Sequence, residues 1–291
     1  MGKREVMINT AGSAASAVLC SFLSCFSISA HASPGYRIVI DPGHGGTDQG
    51  TVFQKGAVRV TEKEVTLKLA TETARQLRNK GFLVTLTHTR DQDLSLPART
   101  HLANSIPADL FISIHMNSLE NPGNAAEGIE TYILNNATDA TSKRLAYFEN
   151  AGHSVVKPMP GNSPGNTDEP NDVALILKDL TLDANLSESK CLACAIQNSQ
   201  VSVTTPALGN PNPIQRNRGV KQALFYVLLG ADMPSILVEA GFLTSYRDRT
   251  LVTSLHGQRA VGAAIVRAVE QFRRTKNTPE AQSELSRCKV H

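Results

Sequence analysis

Two hydrophobic periods alternate along this chain. Short β-rich apolar runs at residues 36–40, 83–88, 110–114, 129–134 and 235–238 end in turn-forming residues, and stretches with helical spacing separate several of them. The clearest helix covers 62–80. Leu67, Ala70, Ala74 and Leu77 recur on one face, Thr61 and Glu64 form a T-x-x-E capping box, and Gly81 supplies the stop. Further helices are expected over 97–105 and over about 251–272. This alternation predicts an α/β fold: a single mostly parallel or mixed twisted sheet flanked by helices.

Two stretches break the pattern. Residues 157–172, K-P-M-P-G-N-S-P-G-N-T-D-E-P-N-D, hold too many Pro, Gly and Asn for a packed element, and 204–218 is again rich in Pro and Asn. Residues 172–197 between them have helical periodicity, so 150–218 reads as an inserted helix hung between flexible loops. A polar tail is expected over 276–291.

The N-terminus reads as a processing segment. Lys3 and Arg4 precede a small, apolar stretch, and Ala30-His31-Ala32 fits a cleavage site, which predicts a signal peptide over 1–32 and a mature domain over 33–275. The rival reading is a membrane anchor. Cys25 follows Phe22-Leu23-Ser24, a poor match to a lipoprotein box. An exported protein of the periplasm or cell envelope is therefore expected. Cleavage would leave Cys191, Cys194 and Cys288, an odd number in an oxidising compartment. Cys191 and Cys194 stand one helical turn apart and cannot easily bridge each other, so structural or incidental cysteines are expected rather than a redox pair.

Composition narrows the partners. The 291 residues are 41% hydrophobic, ordinary for a chain that buries a core, and the net charge of +3 comes with no basic block, which argues against nucleic acid. With no Trp and 5% aromatics, stacking platforms for sugars or bases are poorly supplied.

Four segments carry candidate chemistry. Residues 38–50, I-V-I-D-P-G-H-G-G-T-D-Q-G, run from a strand into a glycine turn that presents His44. D-L-F-I-S-I-H-M-N-S ends a second strand at His115. Strand ends gather at one edge of an α/β sheet, so the two imidazoles can converge there, and a pair of imidazoles suits zinc. A catalytic zinc site needs a third donor, and Glu62, at the start of the first helix, is within reach; an acidic residue there also complements the helix dipole. Glu239 closes the apolar run in M-P-S-I-L-V-E-A-G-F-L-T, where a carboxylate costs desolvation unless something satisfies it; it is the candidate general base. A zinc carboxypeptidase is disfavoured, since Thr47 stands where its H-x-x-E pair needs a glutamate, and no H-E-x-x-H occurs.

Taken in order, I-V-I-D-P-G-H-G-G, T-E-K-E-V, A-D-L-F-I-S-I-H-M-N, G-I-E-T-Y-I-L and R-G-V-K-Q-A through M-P-S-I-L-V-E-A-G-F resemble the zinc-dependent N-acetylmuramoyl-L-alanine amidases of the amidase-3 type. The resemblance spans about residues 37–272. It implies one catalytic Zn2+ held by His44, Glu62 and His115, with Glu239 as catalytic carboxylate, and hydrolysis by zinc-activated water of the bond between N-acetylmuramic acid and L-alanine. Peptidoglycan is then the partner, in wall remodelling or daughter-cell separation, and a monomer is expected. Met116 stands where the family often has alanine. The inserted helix resembles the one that covers the zinc in some cell-division amidases until a protein activator moves it, which makes Glu169, Asp172, Asp179 and Asp183 candidates for an inhibitory carboxylate. The alternative class is a non-catalytic peptidoglycan-binding or regulatory protein on the same fold.

Overall fold

The computed structural model describes residues 35–117, 126–151, 172–201, 216–276, 278 and 288–290. The expected signal peptide, the loop at 157–171, most of the 204–218 connection and most of the polar tail lie outside these residues. In chain order the elements are β1 (Arg37–Pro42), β2 (Val52–Lys55), β3 (Val58–Thr61), α1 (Glu62–Asn79), β4 (Leu83–Leu86), α2 (Leu96–Asn104), β5 (Leu110–Asn117), β6 (Ile129–Leu134), α3 (Ala140–Ala151), α4 (Asp172–Val201), β7 (Asn217–Ala223), α5 (Tyr226–Leu229), β8 (Ser235–Phe242), α6 (Tyr246–Thr253) and α7 (Leu255–Thr275).

Six strands form one sheet in the order β4-β1-β5-β8-β6-β7, and β2 pairs with β3 as a separate hairpin. Every neighbouring pair in the sheet is parallel except β6 and β8, so the sheet is mixed, as expected. Alternation along the strands feeds two cores. Ile38, Ile40, Ile112, Ile114, Ile236 and Val238 pack with α1, α4 and α7, whereas Val39, Phe111, Tyr132 and Leu237 face Ala103 of α2, Ala146 of α3 and Val227 of α5. On this second face the strands turn polar toward one edge: Val39 gives way to Asp41, Phe111 to Ser113 and His115, and Leu237 to Glu239, all buried. The functional groups therefore grow out of the core face that α2 and α3 cover.

Three expectations are corrected. Thr61 is the N-cap of α1, but its side chain makes no capping hydrogen bond. The first amides of the helix instead donate to backbone, Glu62 N to Thr51 O at 2.8 Å and Lys63 N to Gln49 O at 3.3 Å, so the loop after His44 does the capping. The last helix is two: Ser254, extended and accepting from Gly257 N, restarts the chain between α6 and α7. The R-G-V-K-Q-A segment belongs to a strand, β7, where the Pro- and Asn-rich reading places a connection up to 218. The helix expected over 172–197 is α4.

The cysteines resolve into one bridge. Cys194 of α4 is bonded to Cys288 across 94 residues, Cys191 is free, and Val290 pairs with Val220 of β7. The end of the chain is thus tied to the core.

Candidate metal centre

His44 leaves β1 through Pro42-Gly43 with φ 62°, the one positive φ at a non-glycine position among the described residues. Such a backbone persists only where its surroundings hold it. Arg99 of α2 does so. It is 1% exposed and donates from Nη1 to Asp41 Oδ1 at 2.8 Å and Pro42 O at 2.6 Å, from Nη2 to His44 O at 2.8 Å, and from Nε to Leu94 O at 3.0 Å. Asp41 also accepts from the hydroxyls of Thr87 and Ser113. Two glycines make room: a Cβ at Gly43 would lie 2.5 Å from His115 Cε1, and one at Gly50 would lie 2.5 Å from His44 Cδ2.

Four side chains converge beyond this turn. The donor atoms of His44, Glu62, His115 and Glu149 all lie within 4.8 Å of one another. His44 Nε2 is 3.0 Å from Glu62 Oε1 and 3.3 Å from Glu149 Oε2; His115 Nδ1 is 3.2 Å and 2.9 Å from the same two oxygens. Yet among the described residues His44 Nε2, His115 Nδ1 and Glu149 Oε2 are buried without an aligned hydrogen bond. They face a common centre rather than one another. Nitrogen and oxygen ligands about 2.0–2.1 Å from a tetrahedral zinc stand about 3.3 Å apart, close to these separations. The chemistry of the set fits as well, since two imidazoles and two carboxylates suit a divalent transition metal.

Each donor is oriented from outside. The Asp48 carboxylate lies 2.8 Å from His44 Nδ1; because a carboxylate only accepts, Nδ1 carries a proton and the ring turns Nε2 toward the other donors. Glu62, fully buried, accepts from Met116 N at 2.7 Å and Thr51 N at 2.8 Å. Burial works against both imidazolium ions, but the neighbouring carboxylates win: Glu62 and Glu149 hold the His44 pKa well above 6.5, and Glu149 and Glu62 push that of His115 to about 10. Burial likewise disfavours ionised Glu62 and Glu149, and the two imidazoles outweigh it and lower both. This is the balance of a site arranged for positive charge at its centre.

Glu239 pairs in register with His115 on one side and Glu130 on the other, so the three side chains form a row on one sheet face. Glu239 is fully buried and neither carboxylate oxygen has a hydrogen-bond partner among the described residues. Burial raises its pKa well above the usual value, and the negative charges of Glu149, Glu62 and Glu130 add to this. Glu130 is its opposite. Oε1 accepts from Arg218 Nε at 2.6 Å and Lys221 Nζ at 2.7 Å, Oε2 from Asn117 Nδ2 at 2.9 Å and the Tyr132 hydroxyl at 2.7 Å. Burial alone would raise its pKa, and Lys221 with the other donors lowers it instead.

All three donors expected from the sequence, His44, Glu62 and His115, meet in this cluster, and Glu239 stands beside it. Glu149 of α3 is the residue the sequence does not single out. Of the acids expected to reach the site, Asp183 is exposed on α4, Glu169 lies outside the described residues, and the side chains of Asp172 and Asp179 do too.

Residues 38–271 match the N-acetylmuramoyl-L-alanine amidase family over most of the chain. The chain belongs to that family. It is 33% identical to AmiC of Neisseria meningitidis over 237 residues, 81% of this chain and 52% of that one, and 31% identical to AmiA of Escherichia coli over 245 residues, 82% and 77%. The chain thus spans about half the length of the Neisseria relative. Among solved structures, an N-acetylmuramoyl-L-alanine amidase from Clostridium difficile superposes with a TM-score of 0.60 at 30% identity, over 84% of this chain and all of that one. No helix among the described residues is long and apolar enough to cross a membrane.

Proposed function

We propose that this protein is a zinc-dependent peptidoglycan amidase that hydrolyses the bond between N-acetylmuramic acid and the L-alanine of the stem peptide. The observation that carries this reading is the convergence of unpartnered donors from His44, His115 and Glu149 with Glu62, beside the unpartnered carboxylate of Glu239. His44, Glu62 and His115 would hold one zinc. When bound, the metal would supply Lewis acidity for the amide carbonyl and the attacking water. Glu239 would take the proton of that water on a carboxylate oxygen and return it to the leaving amine of alanine. With no hydrogen-bond partner among the described residues, both oxygens are available for that exchange. A binding protein without catalysis would gain nothing from an unsatisfied buried carboxylate, which costs stability.

Glu149 gives the reading a second part. Catalytic zinc sites keep one position open, and a fourth protein donor would close it. We infer a resting form in which α3 covers the centre and a protein activator draws it away. Tyr147 and Phe148, 69% and 52% exposed on the same helix, offer such a partner apolar surface. The Cys194–Cys288 bridge supports an exported protein of the periplasm or envelope, where disulfides persist. Metal analysis of the purified protein, coupled to mass spectrometry of digested peptidoglycan, tests the proposal. One zinc per chain and products with a free alanine amine are expected; stem peptides still joined to muramic acid after digestion with activator present would refute it.

A further inference from the structure

The row that starts at His115 and passes through Glu239 and Glu130 ends in two cations on β7. We propose that Arg218, backed by Lys221, is a subsite for a carboxylate of the stem peptide, borne about two residues from the scissile nitrogen. The inference rests on the amidase reading of the neighbouring centre.

The cations exceed what the buried acid needs. Glu130 already has four donors on its two oxygens, two of them neutral, and one cation would balance its charge. Arg218 spends only Nε on it. Its two terminal nitrogens make no hydrogen bond among the described residues, and the guanidinium lies over the Phe242 ring at 5.2 Å, which fixes its plane. A planar guanidinium with free parallel N–H groups is the geometry that binds a carboxylate through two bonds. Arg216 joins Arg218 and Lys221 around an open cavity of about 620 Å³, where Asp139 is the one acid among the described lining residues and already accepts from Ser142 N and Oγ.

Position selects the ligand. Adjacent strands lie about 4.8 Å apart, so β7 stands about 10 Å from the strand of Glu239, with β6 between. A peptide leaving the scissile nitrogen covers about 7 Å in two residues. The carboxylate on the second residue then falls within reach of the Arg218 side chain. A neutral amide there would leave the cation without its partner.

The test compares two muropeptides that differ only in whether the second residue carries a free α-carboxylate or its amide, in cleavage by the zinc-loaded protein and in equilibrium binding of the released peptides. Wild type is expected to prefer the acid by about tenfold in kcat/KM and in Kd. Arg218→Lys keeps a positive charge beside Glu130, so the fold survives, but loses the planar fork; its preference should collapse toward one. Lys221→Met should reduce the preference without abolishing it. Equal binding of the acid and amide peptides by wild type would overturn the subsite, as would a preference undiminished in Arg218→Lys. Discrimination in binding with cleavage of neither muropeptide, by the parent or by Glu149→Ala, would instead retain the subsite and refute the amidase reading.

Discussion

Glu149 Oε2 lies 2.9 Å from His115 Nδ1 and 3.3 Å from His44 Nε2, so a carboxylate from α3 fills one corner of the donor set. If that corner is where substrate and water must enter, removing the carboxylate opens it while three donors remain. Glu149→Ala is expected to keep its zinc and to cleave purified peptidoglycan about tenfold faster or more without an activator, the factor set by loss of one competing ligand. The readout is dye release from labelled sacculi beside metal content. A variant no faster than the parent would mean that Glu149 does not close the site.

Glu239→Gln separates chemistry from binding. The amide keeps the shape but cannot carry the proton, so turnover should fall by about 10²–10⁴-fold with zinc content unchanged. The buried carboxylate has no hydrogen-bond partner among the described residues, so the variant should melt at the same temperature as the parent or higher. Activity within a few fold of the parent would remove Glu239 from the mechanism.

What could be read in advance follows from where the information lies. His44, His115 and Glu239 each end an apolar run, and strand ends meet at a sheet edge whatever the loops do; Glu62 follows because its helix begins beside the first of them. Glu149 has no such signature. Residues 140–151 carry a modest helical pattern, and which turn of α3 faces the metal centre depends on how the helix docks on the sheet. The same limit hid β7, whose Arg218, Gly219, Lys221 and Gln222 look like a loop until Glu130 supplies a buried counter-charge on the adjacent strand. The missing cap at Thr61 has a similar cause, because backbone from the loop of Gln49–Thr51 took its place.

The Asp41–Arg99 pair beneath His44 gives the fold a defined acid limb. Burial raises the Asp41 pKa, but the Arg99 guanidinium and the Thr87 hydroxyl hold it below the usual carboxylate range. A carboxyl with a lowered folded pKa contributes stability above its unfolded value, about 3.9, and loses it as pH falls through the folded value. Asp41→Asn should therefore cost about 3–5 kcal/mol at neutral pH, the range for breaking a buried pair. The gap to the parent should narrow as pH drops below about 4. Chemical denaturation at several pH values measures it, and a gap as wide at pH 2 as at pH 7 would contradict this role for Asp41.

The bridge from α4 to the chain end makes a prediction about compartment. Cys194–Cys288 closes a loop of 94 residues, and the entropy removed from the unfolded chain by a loop near that length is worth about 4.7 kcal/mol, with about 2–5 kcal/mol the usual measured loss for a native bridge. Cys194→Ser should lower the melting temperature of the oxidised protein to that of the reduced parent, and reductant should then have no further effect on the variant. Cys191 sits one turn away, half-buried, and burial with the Glu188 carboxylate raises its thiol pKa, so it is a poor nucleophile for reshuffling the bridge. Protein made in a reducing cytosol should accordingly be the less stable form, and mass mapping should find Cys191 as the free thiol in the oxidised one. A Cys191–Cys288 bridge in that map would overturn the assignment.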